Sequence, residues 1–316
     1  MRRIQVFKKD LFLSASRCQV FLKNTYLVKS NDTDECKLEF LEGDSDGVAV
    51  ILMNRPKAKN SLGRVFLQQF KECMQNVRFE KNIRVLIVRS AVPGVFCAGA
   101  DLKERAKMTN EEVGPFVADL KERAKMTNEE VGPFVAGLRQ SVGDLQTIPM
   151  PTIAAIDGYA LGGGLEMALA CDMRVASDSA KVGLLETKRG IIPGGGGTQR
   201  LARVISPAIA KELIFTSRMI DGSEAAKLGV VNHSVPQNDA GDAGYIRALE
   251  LAQEITPNGP VALRMAKMAV NRGMEVDLTS GLGFEEAGYA QVIPTKDRIE
   301  GMKAFIEKRE PRFTGE

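Results

Sequence analysis

The sequence predicts an α/β or mixed α/β fold. Apolar runs of strand length, rich in branched residues, alternate along the chain with stretches of helical periodicity. The 316 residues, 44% hydrophobic and 26% charged, suffice to bury a full-sized core. The acidic stretch 32–46 marks the shift into the folded body. The expected organisation is a core over residues 38–250 and a helical C-terminal region over 251–316.

Residues 1–37 form a separate segment. In the first 30, Arg2, Arg3, Lys8, Lys9, Arg17, Lys23 and Lys29 are opposed by Asp10 alone, among serines and scattered apolar residues. A mitochondrial transit peptide has that basic, acid-poor character, and so does an ordinary basic tail. Within the body, 48–53 and 84–89 are short and rich in branched residues, as buried strands are. Between them Leu62, Val65, Phe66, Phe70, Cys73, Met74 and Val77 fall at helical spacing behind an expected Asn60/Ser61 N-cap. A third buried strand spans 152–156 and ends at Asp157-Gly158; 181–185 and 230–235 are also strand-like. Helices are expected over 207–215, 242–255, 260–272 and 282–292. The last carries an apolar stripe that suits either core packing or a subunit contact.

One feature is unusual. The 18-residue unit at 101–118 recurs without a change at 119–136. Diverged repeats over many units would indicate a solenoid; a single identical pair indicates a local tandem duplication. Gly114-Pro115 and Gly132-Pro133 are expected to interrupt any continuous helix there, leaving the extra unit to bulge outward.

Several function classes drop out on composition. A net charge of +3, from 43 basic against 40 acidic residues, gives no electrostatic case for nucleic acid or membrane as the main partner. The odd, dispersed cysteines Cys18, Cys36, Cys73, Cys97 and Cys171 form no C-x-x-C pair, which argues for a reducing compartment rather than a disulfide framework or zinc ribbon. The single histidine, His233, excludes a His-rich metal site, and its strand-like surroundings suit a hydrogen-bonded structural residue. No run of apolar residues is long enough to span a bilayer.

Two glycine-dense segments remain: Gly162-Gly163-Gly164-Leu165-Glu166, and Pro193-Gly194-Gly195-Gly196-Gly197-Thr198-Gln199-Arg200. No Gly-Lys-Ser/Thr follows either, and neither fits G-x-G-x-x-G after a strand, so a nucleotide-phosphate cradle is disfavoured. Glycines between a strand and a helix also permit close backbone approach, with amides at the helix start aimed at developing negative charge. The first segment has that order, and it places Glu166 one turn inside the helix near the positive end of its dipole. Glu186 follows after a strand-like run. Two carboxylates in different environments can hold one water between them as base and acid. Spacing alone leaves open whether they meet, and solvated surface glutamates with two tight turns give the same pattern.

The segments Phe96-Cys97-Ala98-Gly99-Ala100-Asp101-Leu102, Gly162 to Glu166 with Cys171-Asp172, and Glu186 with Gly190 to Arg200 resemble the enoyl-CoA hydratase (crotonase) superfamily, from about residue 38 to the C-terminus. The resemblance implies a crotonase-like spiral of ββα repeats with a C-terminal helical trimerisation region, assembled as a homotrimer or homohexamer. It implies an oxyanion hole from the amides of Ala100 and Gly163, contacts to the CoA moiety from Lys57, Ala58, Ala98 and Lys103, and Glu166 and Glu186 as the pair that positions water and delivers a proton. No metal or separate cofactor is implied, since CoA arrives as part of the substrate. The implied activity is addition of water across the 2,3 double bond of a short or branched 2-enoyl-CoA, in mitochondrial matrix catabolism of fatty or branched-chain amino acids. The duplication departs from the family pattern directly after Ala100, and either Lys103 or its copy Lys121 can fill the lysine position. Chain continuity favours Lys103, with roughly 109–126 extruded. Two other readings stay open: a scaffold subunit disabled by the duplication, and an RNA-binding hydratase. The RNA reading is weakened because the matching helix carries Arg64 and Lys71 among mostly uncharged residues.

Overall fold

The computed structural model describes residues 25–27, 34–99 and 128–316. Among the described residues the frame is a seven-stranded sheet and a four-stranded one. The large sheet begins with β1 (Thr25–Leu27), antiparallel to β2 (Cys36–Leu41), which is antiparallel to β3 (Val48–Met53). From there the ladder is parallel through β4 (Val85–Ser90), β6 (Thr152–Ile156), β8 (Met173–Ser177) and β11 (His233–Val235). The small sheet runs β5 (Val95–Cys97), β7 (Tyr159–Leu161), β9 (Lys181–Gly183) in parallel, with β10 (Ile220–Asp221) antiparallel at its edge.

The near-continuous apolar runs of β3, β4 and β6 are explained by burial on both faces. Ala49, Ile51 and Met53 point into the main core with Phe66, Phe70, Leu145 and Ile148. Their neighbours Val48 and Val50 point the other way, with Val85, Ile87, Ile153 and Val175, against Ala248, Leu249 and Ala252 of helix α7 (Ala243–Ile255). Asp157 ties that helix down by accepting from the amides of Gly244 and Tyr245 at 2.6 and 2.9 Å. Burial raises its carboxyl above the ordinary value, and those two amides act in the opposite sense.

Order along the chain explains how distant residues meet. Three successive units each place one strand in the large sheet, the next in the small sheet, then a helix: β4, β5 and α2 (Asn128–Gln146); β6, β7 and α3 (Gly163–Ala170); β8, β9 and, past a turn, α4 (Gly197–Val204). Because β5, β7 and β9 pair in parallel, their C-terminal turns lie side by side, as expected for the spiral of ββα repeats. Residues 98–99, 162–163 and 184–186 occupy those turns.

Two local expectations are corrected. Helix α1 (Arg64–Arg78) is capped by Gly63 with no side-chain bond, whereas Asn60 and Ser61 are buried and bonded elsewhere. Asn60 stands in the left-handed region, φ 57°, which an Asn tolerates, so the chain is still turning at that point. Pro133 does not interrupt α2, which runs through it. The proline sits in the second turn, where it removes a single ladder bond, and the helix beyond it seats Phe134, Leu138, Val142 and Leu145 in the interior. The downstream end of the duplication is thus a packed helix entrance. Gly114-Pro115, the expected extrusion of 109–126 and most of the basic segment 1–37 lie outside the described residues.

Beyond α4 follow α5 (Pro207–Thr216), α6 (Gly222–Lys227) and, after α7, the C-terminal helices α8 (Pro260–Gly273), α9 (Leu278–Val292) and α10 (Lys296–Glu307). They are clamped to the body by two polar ties. Lys267 of α8 reaches Asp172 at 2.7 Å and the Met150 carbonyl at 3.0 Å. Arg84, just before β4, donates to the Thr256 and Phe313 carbonyls, both at 2.6 Å. No helix among the described residues is long and apolar enough to cross a membrane.

Candidate active site

The site forms where the turns after β5, β7 and β9 converge. Gly162 accepts no side chain: its φ of 52° and ψ of −123° suit glycine alone, and a Cβ there would lie 2.9 Å from Oε1 of Glu186. Gly99, also at φ 52°, packs so tightly on the Leu161 carbonyl that a Cβ would stand 2.1 Å from that oxygen. A Cβ on Gly164 would meet the Cys97 carbonyl oxygen at 2.1 Å. These contacts press the start of α3 against the end of β5. Gly163 is the first residue of α3, so its amide is one of the four at a helix start without an intrahelical acceptor, at the positive end of the dipole. Leu62 Cδ1, 2.8 Å from where a Gly163 Cβ would stand, supplies an apolar neighbour.

Glu166 occupies the first turn of α3 and is 1% exposed. A carboxylate so buried requires strong donors. The second glycine segment supplies them: the amides of Gly195 and Gly197 donate to Oε1 at 2.8 and 2.7 Å. The other oxygen, Oε2, lies 4.0 Å from the Cβ position of Gly163. Glu186 begins the short 3₁₀ turn Glu186–Arg189, half-buried, with Oε1 against Gly162. The two carboxylates therefore converge on the consecutive glycines Gly162 and Gly163.

The loop expected to contact CoA borders the same turns. Lys57 is exposed in the 3₁₀ turn Pro56–Ala58, and Ala58 is buried. Asn60 stitches this loop to β5: its Oδ1 accepts from Arg55 N at 2.8 Å, and its Nδ2 donates to Ser90 Oγ at 2.7 Å and to the Phe96 carbonyl at 2.9 Å. The Ala98 amide donates to the Lys59 carbonyl at 3.1 Å. Lys57, Ala58 and Ala98 thus share one corner beside Gly99. Ala100 and Lys103 lie outside the described residues.

Sequence reasoning missed three contributors. Asn60 was read as a cap, the second glycine run carried no partner, and Arg200 was only part of a motif. Arg200 folds back so that its Nη1 donates to the Gly195 carbonyl at 2.7 Å and its Nε to Gln146 Oε1 at 3.1 Å. Burial lowers its guanidinium from the ordinary value, while the charge of Glu166 works in the opposite direction. The usable signal was an arginine closing a glycine run ahead of a helix. No cluster of His, Cys, Asp and Glu able to hold a metal occurs among the described residues. The helix α1 surface exposes Arg64 and Lys71 beside Glu72, a sparse footprint for a polyanion.

Comparison with known proteins gives a consistent picture. A family model described as enoyl-CoA hydratase/isomerase matches residues 43–115 and 115–316, its break falling inside the duplicated stretch. The methylglutaconyl-CoA hydratase, mitochondrial, of Homo sapiens is 52% identical over 294 residues, covering 93% of this chain and 81% of its own. The enoyl-CoA hydratase domain-containing protein 2, mitochondrial, of Bos taurus is 55% identical over 276 residues, covering 87% of each. The crystal structure of enoyl-CoA hydratase from Bacillus anthracis superposes with a TM-score of 0.76 at 40% identity, covering 93% of this chain and all of that one.

Proposed function

This chain belongs to the enoyl-CoA hydratase/isomerase family, and from that premise we propose that it adds water across the 2,3 double bond of a short or branched 2-enoyl-CoA. The observation that carries the proposal is the convergence of Glu166 and Glu186 on the Gly162–Gly163 turn, beside the helix-start amide of Gly163.

In this reading the thioester carbonyl sits on the amides of Gly163 and Ala100, and CoA lies along Lys57, Ala58, Ala98 and Lys103. Glu166, held in one orientation by two amides, takes a proton from water as the oxygen attacks the β-carbon. The double-bond electrons shift toward the carbonyl, giving an enolate whose oxygen the two amides stabilise, each worth roughly 2.7–4 kcal/mol. Glu186 in its acid form delivers a proton to the α-carbon and restores the thioester, and the proton taken up by Glu166 passes back to Glu186 before the next turnover. No metal or separate cofactor enters these steps.

Fusion and fractionation are expected to place the protein in the mitochondrial matrix; both relatives are named as mitochondrial. The exposed Leu278, Tyr289 and Phe305 on α9 and α10, 79%, 66% and 86% accessible, support a homotrimer or homohexamer built on that face. The catalytic reading is tested with a panel of enoyl-CoA thioesters and the variants Glu166→Gln and Glu186→Gln. Each is expected to lose at least ~100-fold in kcat while keeping its fold. Wild-type rates in either variant would remove that residue from the reaction.

A further inference from the structure

We propose that Arg200 is a positioning residue for the reaction, fixing and electrostatically supporting Glu166 through the second glycine segment. The inference rests on the catalytic reading of Glu166 given above.

The argument starts from Gly195, which is bonded on both sides. Its amide donates to Glu166 Oε1 at 2.8 Å, and its carbonyl accepts from Arg200 Nη1 at 2.7 Å. A peptide loop without side chains has no intrinsic reason to keep its amides parallel. Here Gly196, at φ 106°, carries the chain beneath the guanidinium, and a Cβ on it would stand 2.2 Å from Nη1. Gly197 then donates to the same carboxylate oxygen at 2.7 Å. Withdrawing the arginine releases the carbonyl whose orientation sets both donors.

A second anchor makes the arrangement rigid. Arg200 Nε donates to Gln146 Oε1 at 3.1 Å, at the end of α2, so the guanidinium joins α2, the glycine loop and α4. Arg139 of α2 also reaches this loop, donating to the Gly194 carbonyl at 3.0 Å, but it is exposed and contributes correspondingly little. Arg200 is half-buried, where charge acts at closer to full strength.

The charged groups facing Glu166 from the segments around it can be named. They are Arg200 from α4, Arg139 from α2, Glu186 from the turn after β9, and Arg174 of β8, which donates to the Ala168 and Cys171 carbonyls at the far end of α3. The strands β5 and β7 bring only the Cys97 thiol and the Tyr159 phenol. Of these groups, Arg200 is the cation bonded to Gly195, whose amide donates to the carboxylate.

The test compares the full-length protein with Arg200→Met, Arg200→Lys and, as a reference, Glu166→Gln, measuring kcat, KM, the pH profile of kcat and Tm. Arg200→Met is expected to lower kcat by about tenfold to a hundredfold with KM nearly unchanged, since a small misplacement of a base suffices. Loss of a neighbouring positive charge makes the ionised carboxylate less favourable, so the acid limb is expected to move to higher pH by about one unit. Arg200→Lys should restore the limb more fully than kcat, because it keeps the charge and loses the fork. An unmoved limb, or a kcat loss that merely follows a fall in Tm, overturns the inference. If Arg200→Met does not fold, the separation of limb from kcat in Arg200→Lys decides by itself. Full activity in Glu166→Gln would overturn both readings, whereas an inactive Glu166→Gln beside an unaltered Arg200→Met would overturn this one alone.

Discussion

The two glycine segments read alike in sequence and do opposite work. At 162–164 the missing side chains let one backbone press on another, with Gly164 against the Cys97 carbonyl and the start of α3 driven onto β5. At 195–197 they leave a loop whose amides turn toward Glu166. The first segment uses glycine mainly for close packing, which sets the Gly163 amide at the helix start, and the second uses it to turn buried peptide donors toward a carboxylate. Their surroundings, rather than their composition, separate the two uses: strand ends bracket the first, and an arginine folds over the second.

Alanine substitutions sharpen that difference. Gly164→Ala is expected to be the most damaging, because its Cβ would sit 2.1 Å from a backbone oxygen that cannot rotate away. A loss of about 3 kcal/mol or more, read by denaturant or thermal unfolding, is expected. Gly197→Ala should act on rate instead: its Cβ would meet Glu166 Cγ and Oε1 at 3.0 Å and displace the carboxylate. A fall in kcat of about tenfold to a hundredfold with little change in Tm follows. Gly194→Ala should matter least, since its 2.8 Å neighbour is the tip of the Val135 side chain. That tip can turn, and the alanine stiffens the unfolded chain, so stability should stay within about 1 kcal/mol of wild type. Equal damage from Gly164→Ala and Gly194→Ala would erase the distinction between the segments.

Much of the frame was legible because burial on both faces writes a strand as a continuous branched run, as in β3, β4 and β6. The strand β2 was not, because Lys37 and Glu39 interrupt it within an acidic stretch and only Cys36 and Leu38 of it are buried. Helix α2 was hidden by Gly132-Pro133, a local breaker that tertiary packing of Phe134 and Leu138 overrides. For the site, Glu166 and Glu186 could be named as candidates, but their meeting depends on β7 and β9 pairing with Leu161 beside Gly183. Asn60 was legible only as a helix N-cap, since its bonds go to Ser90 and Phe96. Long-range partners leave no local periodicity to read.

Arg84 carries a consequence for how the protein is made. Its two carbonyl partners, on Thr256 and Phe313, are synthesised long after it and long after both carboxylates. During translation the guanidinium must stay hydrated while the sheets form, and only the arrival of Phe313 closes that seam. A nascent chain halted short of Phe313 would thus hold every residue of the proposed chemistry on a body whose Arg84 still lacks one of its two carbonyl partners.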